Sequence, residues 1–425
     1  MNFARLNHIF VPRRKDQRDR LRGSWIGKLS RPGVWLFSAL TDEGRALVVL
    51  TVLIGLVGLD ITSTQVHILF ATLAGLMAGS FLLRPAFRLR GVELELQSPR
   101  RVAVGQPLRI QLTVVNRDGR PHHALRLAGP FLPWDGHYAS QPARVSEIAP
   151  GERIQRETQA TFVERGDHHL DPFLVSAALP FGLTMGPRLM SDGLKFRVVP
   201  HPRPIAHLTV PEGRGGSTAG ELDSTGRGAE AFELVGVRPY RRGDPIRDLH
   251  HRTWARLGVP HVREYRQRRQ RNTALIVDAG SDNERAFEAM MSLAAGIAQY
   301  LVRERLDVLV VGDTLHELER GRSALDHVLD ILALVSMQRE AAVFDAKTLE
   351  PVPDLSTAVI VSAARDERLH SGFELLQRSG IAFSAFRVDA PPWWRRTGVS
   401  PVAPRHRDER VIEASTIEQR GELRL

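Results

Sequence analysis

One carboxylate set among spaced arginines is the clearest candidate site in this sequence. Asp244 follows Gly243, and arginines stand at short intervals on both sides of it. Such an aspartate can cap a turn or pair with Arg247 or Arg256. Three interpretations are open: a buried ion-pair network that docks the segment onto a sheet, a partner-binding surface, and a catalytic carboxylate. The candidate residues are Arg238, Tyr240, Gly243, Asp244, Arg247 and Arg256.

Other patterns point away from catalysis, nucleotide binding and nucleic-acid binding. The glycine-rich stretch 214–220 is not followed by Gly-Lys-Ser/Thr, which excludes a P-loop. Adjacent histidines such as His250 and His251 would point to opposite faces of a strand, so we interpret them as polar strand residues. The basic run 263–271 lacks interleaved stacking residues, so we expect a solvated face, or one that meets anionic lipid or an acidic protein, and no nucleic acid. No serine–histidine–aspartate or nucleophile-elbow motif occurs, and we expect a non-enzymatic protein.

A domain of alternating strands and helices is predicted over residues 231–390, and a binding site could lie at the ends of its strands. Buried-strand runs and helical spacing alternate there, at 273–278, 287–301, 308–311, 325–335, 358–361, 373–376 and 382–386. Strand–helix–strand order is typical of a parallel sheet with helices on its faces. We therefore predict a doubly wound α/β domain.

Residues 91–200 have a different period. Strict apolar–polar alternation marks residues 92–96 and 108–114, and turn sequences at 116–119 and 149–152 separate such runs. Short strands at regular spacing predict an antiparallel β-sandwich of immunoglobulin-like type.

Two apolar runs precede this domain, at residues 46–59 and 66–83. A spanning helix needs about 20 residues, so the second run suffices and the first is at the short end. The segment 61–65 between them is too short for a domain, which predicts a two-helix transmembrane hairpin over 46–83. The alternative is a buried helical hairpin of a soluble domain.

Charge predicts the orientation of this hairpin. Arginines and lysines precede it in the basic segment 1–45 and follow it at Arg84, Arg88 and Arg90, whereas the connecting turn has none. The positive-inside rule then places both termini and the soluble domains in the cytoplasm. The net charge of +10, from 58 basic and 48 acidic residues, arises largely from these flanks, and the absence of cysteine fits a reducing compartment.

The remaining segments are predicted to connect or to end the chain. Residues 201–230 are proline-rich and then glycine-rich, which indicates a linker, and residues 391–425 form a proline- and arginine-rich tail that we expect to be weakly ordered.

The segment from Glu233 to Gly258 resembles the bacterial domain-of-unknown-function 58 family. The residues that match its pattern are Arg238, Tyr240, Gly243, Asp244, Arg247, Ala255, Arg256 and Gly258. A second family pattern is matched by Arg165-Gly166 and by Pro180-Phe181-Gly182-Leu183. The chain departs from the family at Leu234, at His251, where the family has tryptophan, and at Trp254, which we expect to supply that aromatic bulk.

This resemblance implies an architecture and a partner. It implies an N-terminal membrane hairpin, a β domain and a von Willebrand A-like α/β domain in a bacterial inner-membrane protein. It also implies work with a MoxR-type AAA+ ATPase and other membrane components. We therefore expect a membrane-anchored cytoplasmic scaffold or adaptor that contacts protein and membrane lipid.

The von Willebrand A resemblance also implies a test for a metal-ion-dependent adhesion site. Its Asp-x-Ser-x-Ser pattern falls at residues 278–282, where both serines are replaced, by Gly280 and Asp282. Oxygen ligands that suit Mg²⁺ remain in part, at Asp278, Asp282 and Ser362. The two interpretations are a structural turn and a degenerate metal site, which would make the chain a metal-dependent ligand-binding or hydrolytic domain.

Overall fold

The computed structural model describes residues 19–20, 23, 33, 35–37, 39–57, 64–140, 144–210, 232–267, 272–304, 306–319, 322–339, 344–349, 351–352, 355–363, 368–390, 408–419 and 421–425. The chain divides into two compact units. The first comprises Met1–His201 with Leu329–Leu334, and the second comprises Pro202–Val328 with Val335–Leu425.

The first unit begins with two apolar helices, α1 (Asp42–Val57) and α2 (Thr64–Leu83). The helices contact each other where Gly55 of α1 faces the ring of Phe70. In the described part of the chain, one helix, Gln65–Phe87, is long and apolar enough to cross a membrane, with a mean hydropathy of 2.0. Helix α1 begins four residues before the predicted apolar run, and residues 58–63, including most of the predicted turn, lie outside the described residues.

Short strands follow the helices and complete the first unit. They are β1 (Val92–Gln97), β2 (Arg101–Ala103), β3 (Pro107–Asn116), β4 (His122–Ala128), β5 (Gly136–Ser140), β6 (Arg144–Ile148), β7 (Arg153–Phe162), β8 (Gly166–Leu170), β9 (Leu174–Ala177), β10 (Leu189–Met190) and β11 (Leu194–Val199). The sheets have the orders β1-β3-β7-β5, β10-β9-β4-β6 and β2-β11-β8.

Alternation along β3 builds the core of this unit. Leu108, Ile110 and Leu112 are fully buried, and the polar residues between Leu108 and Leu112 are exposed. Successive side chains of a strand point to opposite faces, so the alternating pattern buries one face of the sheet. One apolar cluster joins β3 and β7 to β8 and β11, and a second joins β1 and β3 to β4, β6 and β9. The unit is thus β-rich, with sheets packed face to face.

The second unit contains the α/β sheet and an additional β-ribbon. Its elements are β12 (Ile205–His207), β13 (Phe232–Pro239), α3 (His251–Leu257), β14 (His261–Gln267), β15 (Asn272–Val277), α4 (Glu284–Glu304), β16 (Val308–Val311), β17 (Thr314–Glu317), α5 (Arg322–Leu334), α6 (Ala346–Leu349), β18 (Leu355–Ser362), α7 (Arg368–Arg378), β19 (Ala382–Asp389), β20 (Glu409–Glu413), α8 (Ala414–Glu418) and β21 (Leu423–Arg424). The last turns of α5, Leu329–Leu334, belong to the first unit.

Six strands of this unit form one sheet in the order β17-β16-β15-β18-β19-β20. All neighbours are parallel except β17, which is antiparallel to β16. Ile276 and Ile360 pack with Phe373 of α7 on one face. Helix α4 contacts β15, β18 and β19 and contributes nothing to that cluster, so helices cover both faces, as predicted for a doubly wound sheet.

Two segments predicted to lack structure contribute strands instead. Within the predicted linker, β12 pairs in parallel with β21, and residues 211–231 lie outside the described residues. Within the predicted tail, β20 extends the sheet beside β19, where Arg387 and Glu409 form a buried ion pair at 3.3 Å. The composition of the tail misled the prediction, because backbone hydrogen bonds to β19 hold this strand and its buried charge at Glu409 is paired.

Candidate functional site

The family motif forms a two-stranded antiparallel ribbon, separate from the six-stranded sheet. Strands β13 and β14 pair from Phe232 opposite Gln267 to Pro239 opposite His261, with a register shift between Leu234 and Gly236. The chain between the strands contains a 3-10 turn, Ile246–Asp248, and helix α3. We call residues 237–263 the ribbon tip.

A bidentate ion pair joins the two sides of the turn at the start of this tip. Arg238 donates from Nη1 and Nη2 to the carboxylate of Asp244, at 2.7 and 2.8 Å. The backbone N–H of Arg241 donates to the same carboxylate at 2.7 Å, and the N–H of Asp244 donates back to the carbonyl of Arg241 at 3.0 Å. Gly243 has a φ of +111°, a conformation that favours glycine.

These contacts shift the ionisation of both side chains. The hydrogen bonds from the Arg238 guanidinium, and next that from the Arg241 backbone, lower the pKa of Asp244 to about 2. The same hydrogen bond raises the pKa of Arg238. The pair is therefore charged at neutral pH, and the Asp244 carboxylate holds the turn.

Local hydrogen bonds also fix helix α3. The Nδ1 atom of His250 accepts from the N–H of Thr253 and so caps the start of the helix, and Gly258, with a φ of +72°, ends it. Since His251 lies in this helix, the prediction that His250 and His251 are strand residues is wrong. The rings of His251 and Trp254 are one helical turn apart and stack with centroids 6.5 Å apart. Trp254 thus supplies aromatic bulk beside the position where the family has tryptophan.

The predicted motif residues do not converge on one buried network. Arg247 and Arg256 are exposed, and in the described structure neither pairs with Asp244. Tyr240 is placed by its backbone, whose N–H donates to the carbonyl of Pro260 at 2.9 Å. No residue of the 3-10 turn or of α3 is buried. Among the described residues, Asp244 forms an ion pair with Arg238 alone, and that pair is partly exposed. The interpretation of a buried ion-pair network is therefore wrong.

The ribbon tip instead presents exposed cations among exposed apolar side chains. Segment 236–264 contains seven arginines and three carboxylates. Its exposed arginines are Arg241, Arg242, Arg247, Arg252, Arg256 and Arg263. Its large exposed apolar side chains are Val237, Ile246, Trp254, Leu257 and Val259. Apart from Trp254, these apolar residues were not predicted from the sequence to be part of a site. They are scattered singly over the strand, the turn, the helix and the loop, so no periodic pattern marks them.

The second predicted site lies at the carboxyl end of β15. Asp278 is buried, its Oδ1 accepts from the N–H of Gly280 at 2.9 Å, and its Oδ2 accepts from the hydroxyl of Ser362 at 2.8 Å. Asp282, by contrast, is exposed. The structure thus brings Asp278 and Ser362 together and leaves Asp282 out. Within the described ranges, no group of three histidine, aspartate or glutamate side chains is placed to hold a metal ion. Because one of the three predicted ligands is a serine, the degenerate metal site stays a prediction.

Fold and site together define an α/β domain with a separate arginine-rich β-ribbon, preceded by a β-rich unit and apolar helices. Residues 236–368 match the family described as Protein of unknown function DUF58, which confirms the family indicated by the sequence motif. This match covers the tip from Gly236 onward and the sheet as far as α7.

Comparisons with other proteins add little. No curated protein matches the chain. Native alpha-2-macroglobulin from E. coli shares 29% identity over 26% of this chain and 7% of its own, with a TM-score of 0.20. A Salmonella alpha-2-macroglobulin mutant shares 25% identity over 27% of this chain and 7% of its own, with a TM-score of 0.22. The chain spans less than a tenth of either protein, and TM-scores this low support no argument about fold or function.

Proposed function

We propose that this chain is a non-enzymatic, membrane-anchored adaptor whose ribbon tip binds a MoxR-type AAA+ ATPase on the cytoplasmic side of a bacterial inner membrane. In this proposal, the β-rich unit is immunoglobulin-like and the α/β domain is von Willebrand A-like. The observation that carries the proposal is the exposure of the motif itself. A family motif that served only the fold would be expected to be packed, whereas this one presents its arginines and Trp254 to solvent.

The composition of the tip suits an acidic protein face. Arginine and tryptophan are the residues that most often dominate binding energy at interfaces, because they combine apolar area with directed hydrogen bonds. Trp254 is 41% exposed and Ile246 is 74% exposed, and exposed arginines surround both. The Arg238–Asp244 pair keeps this surface in one conformation, which lowers the entropy cost of binding.

Anchoring by both helices follows from their exposed apolar side chains. Only 11% of the most apolar stretch of α2 is buried. In α1, each of four apolar residues is more than half exposed: Val49, Val52, Leu53 and Leu56. Two adjacent helices that expose this much apolar surface need a lipid environment. Helix α1 is short for a span, and Leu59, outside its described bounds, extends its apolar run.

Affinity capture tests the adaptor role. The detergent-solubilised protein is captured from the cells that make it, with and without ATP, and co-purifying proteins are identified by mass spectrometry. We expect an AAA+ ATPase that is lost when Asp244 is replaced by alanine and kept when Arg120, an exposed arginine of the β-rich unit, is replaced by glutamate. An Asp244→Ala variant with unchanged stability and unchanged binding would remove the motif from the proposal.

A further inference from the structure

The second family pattern, Pro180-Phe181-Gly182-Leu183, lies against the start of α1 and the end of α2. The N–H of Thr41 donates to the carbonyl of Leu183 at 3.1 Å, and the N–H of Met185 donates to the carbonyl of Ala39 at 2.9 Å. The hydroxyl groups of Ser80 and Thr184 are 2.6 Å apart. Backbone and side-chain hydrogen bonds thus hold this turn of the β-rich unit at the helix ends.

Leu183 shows how far along the helices the turn reaches. It is buried in a small cluster with Leu40 and Met77, against which Leu47 of α1 and Leu76 of α2 also pack. Met77 precedes the end of α2 at Leu83 by six residues, which is about 9 Å at the rise of an α-helix. The turn therefore lies level with the first turns of α1 and the last turns of α2.

Phe181, two residues before Leu183, has an unusual conformation and little contact with the fold. Its φ and ψ are +70° and −5°, and its residue is 72% exposed. Side chains other than glycine, asparagine and aspartate rarely adopt this region, and such strain persists mainly where a function requires it. Glycine would suit the same backbone, so the turn alone does not explain an exposed phenylalanine at this position.

The helix ends around the turn have the composition of a membrane interface. The guanidinium of Arg45 lies over the ring of Phe37 at 3.6 Å, and that of Arg84 lies over the rings of Trp35 and Phe81 at 5.1 and 5.6 Å. Trp35 and Phe37 are both more than half exposed. Aromatic rings paired with arginines are typical of the headgroup level at the ends of transmembrane helices.

We propose that Phe181 inserts its ring into the lipid surface, at the headgroup boundary of the leaflet where α1 begins and α2 ends. The ring would tie the β-rich unit to the bilayer beside its own helices. This inference rests on the proposed membrane anchoring and adds a lipid-binding residue within the β-rich unit. A phenylalanine held outward by a strained backbone, beside helices with exposed apolar faces, has lipid as the apolar phase nearest to it.

The absence of cysteine from the chain allows a direct test. Single variants Phe181→Cys, Val163→Cys and Leu53→Cys are labelled with a nitroxide in the full chain, reconstituted into phosphatidylcholine–phosphatidylglycerol nanodiscs. Collisions with oxygen, which concentrates in lipid, are compared with collisions with a water-soluble nickel chelate. Leu53 in α1 is the lipid reference. Val163 is the aqueous reference, because this residue is 55% exposed. Its neighbour Phe162 belongs to an apolar cluster that contains no residue of the apolar helices.

We expect the label at 181 to shift from the aqueous value of 163 towards the lipid value of 53. A label at 181 that is as accessible to nickel as the label at 163, with 53 in lipid, overturns the inference and leaves the anchoring intact. Low collision with both reagents means that protein covers Phe181, which also overturns it. If 53 is itself in water, the anchoring fails and the inference fails with it.

A second variant guards against a misfolded cysteine mutant. Phe181→Trp keeps an aromatic ring on the turn, and its fluorescence is measured as the difference from the unmodified chain. Quenching of this difference signal by lipids brominated near the headgroup is expected. Absence of quenching, in protein whose thermal unfolding is unchanged, contradicts lipid insertion.

Discussion

Arg238, in strand β13, and Asp244, in the turn that follows, are six residues apart and joined by two hydrogen bonds. The pair ties the turn that contains Asp244 to the end of β13, where the ribbon tip begins. Arg241, between them, is held through its backbone and keeps its side chain exposed. The motif thus has two kinds of residue: some shape the tip through hydrogen bonds, and others expose their side chains to solvent.

The ionisation of Asp244 gives the first prediction. Its pKa in the folded chain is about 2, below the value of about 3.9 for an unperturbed aspartate. A lowered folded pKa means that the stabilisation is fully present above about pH 4 and is lost as the pH falls through about 2. The carboxyl ¹³C signal of Asp244, assigned by its disappearance in Asp244→Asn, should titrate near pH 2. In Arg238→Ala the midpoint should rise towards 4, and an unchanged midpoint would contradict the pairing.

Gly44 in α1 gives a second prediction, on the docking of the turn. A Cβ atom at Gly44 would overlap the carbonyl oxygen of Leu183, whereas a Cβ at Gly75 in α2 would meet nothing within 4 Å. Gly44→Ala should therefore destabilise the solubilised protein by about 1–3 kcal/mol, as overpacking does. Gly75→Ala is the matched control and should leave the thermal unfolding temperature unchanged or slightly higher. Equal effects of the two substitutions would show that Leu183 does not dock at Gly44.

A buried pair in the β-rich unit gives the third prediction. His168 Nε2 lies 2.7 Å from Asp135 Oδ2 with both side chains fully buried, and His168 Nδ1 lies 3.0 Å from the carbonyl oxygen of Gly166. The ring of His168 therefore bridges the Asp135 carboxyl group and the Gly166 carbonyl oxygen. Asp135→Ala should cost about 3–5 kcal/mol of unfolding free energy, because it leaves a buried partner unpaired.

The control for that pair is an exposed pair of the same chemistry. His123 and Glu147 are 3.7 Å apart and both more than half exposed. Glu147→Ala should change the unfolding free energy by no more than about 1 kcal/mol. Chemical denaturation of both variants measures the difference. A loss at Asp135 no greater than that at Glu147 would show that the buried pair does not form.

Asp278 gives the fourth prediction, which concerns the alternative of a metal-dependent function. Because both of its carboxylate oxygens already accept hydrogen bonds and Asp282 is exposed, we expect no heat when Mg²⁺ or Mn²⁺ is titrated into the full chain. Asp278→Ala should still destabilise the α/β domain, since it leaves the Gly280 N–H and the Ser362 hydroxyl without this acceptor. Binding heat that vanishes in Asp278→Ala would restore the metal-dependent alternative.

The sequence predicts the helices and strands of this protein better than it predicts which side chains they expose. The run 273–278 and the helical spacing from Phe287 reveal β15 and α4, because both are buried and so carry a clear apolar period. Strand β20 was missed because its pairing uses backbone hydrogen bonds and the buried Arg387–Glu409 pair, which leave no apolar pattern. The apolar period of a sequence shows which residues are buried, but it does not show which charges distant in sequence form pairs.

The same limit applies to the candidate site. Arg238 and Asp244 were both singled out, but the expected partners of Asp244 were Arg247 and Arg256. The correct partner is decided by the turn at Gly243, whose positive φ brings the carboxylate back towards β13. Residue types at short spacing identified the motif, and only the backbone path shows which arginine is paired and which are presented.

The central claim, that the ribbon tip binds an AAA+ ATPase, is tested most directly by a dissociation constant. The purified full chain in nanodiscs is titrated with the co-purifying ATPase in the presence of ATP. Trp254→Ala should weaken binding by at least about tenfold, and Arg247→Glu and Arg256→Glu should weaken it with a loss that diminishes as salt rises. Arg120→Glu should leave it unchanged, with thermal unfolding equal in all four variants. Unaltered binding by the tip variants would contradict the proposed function.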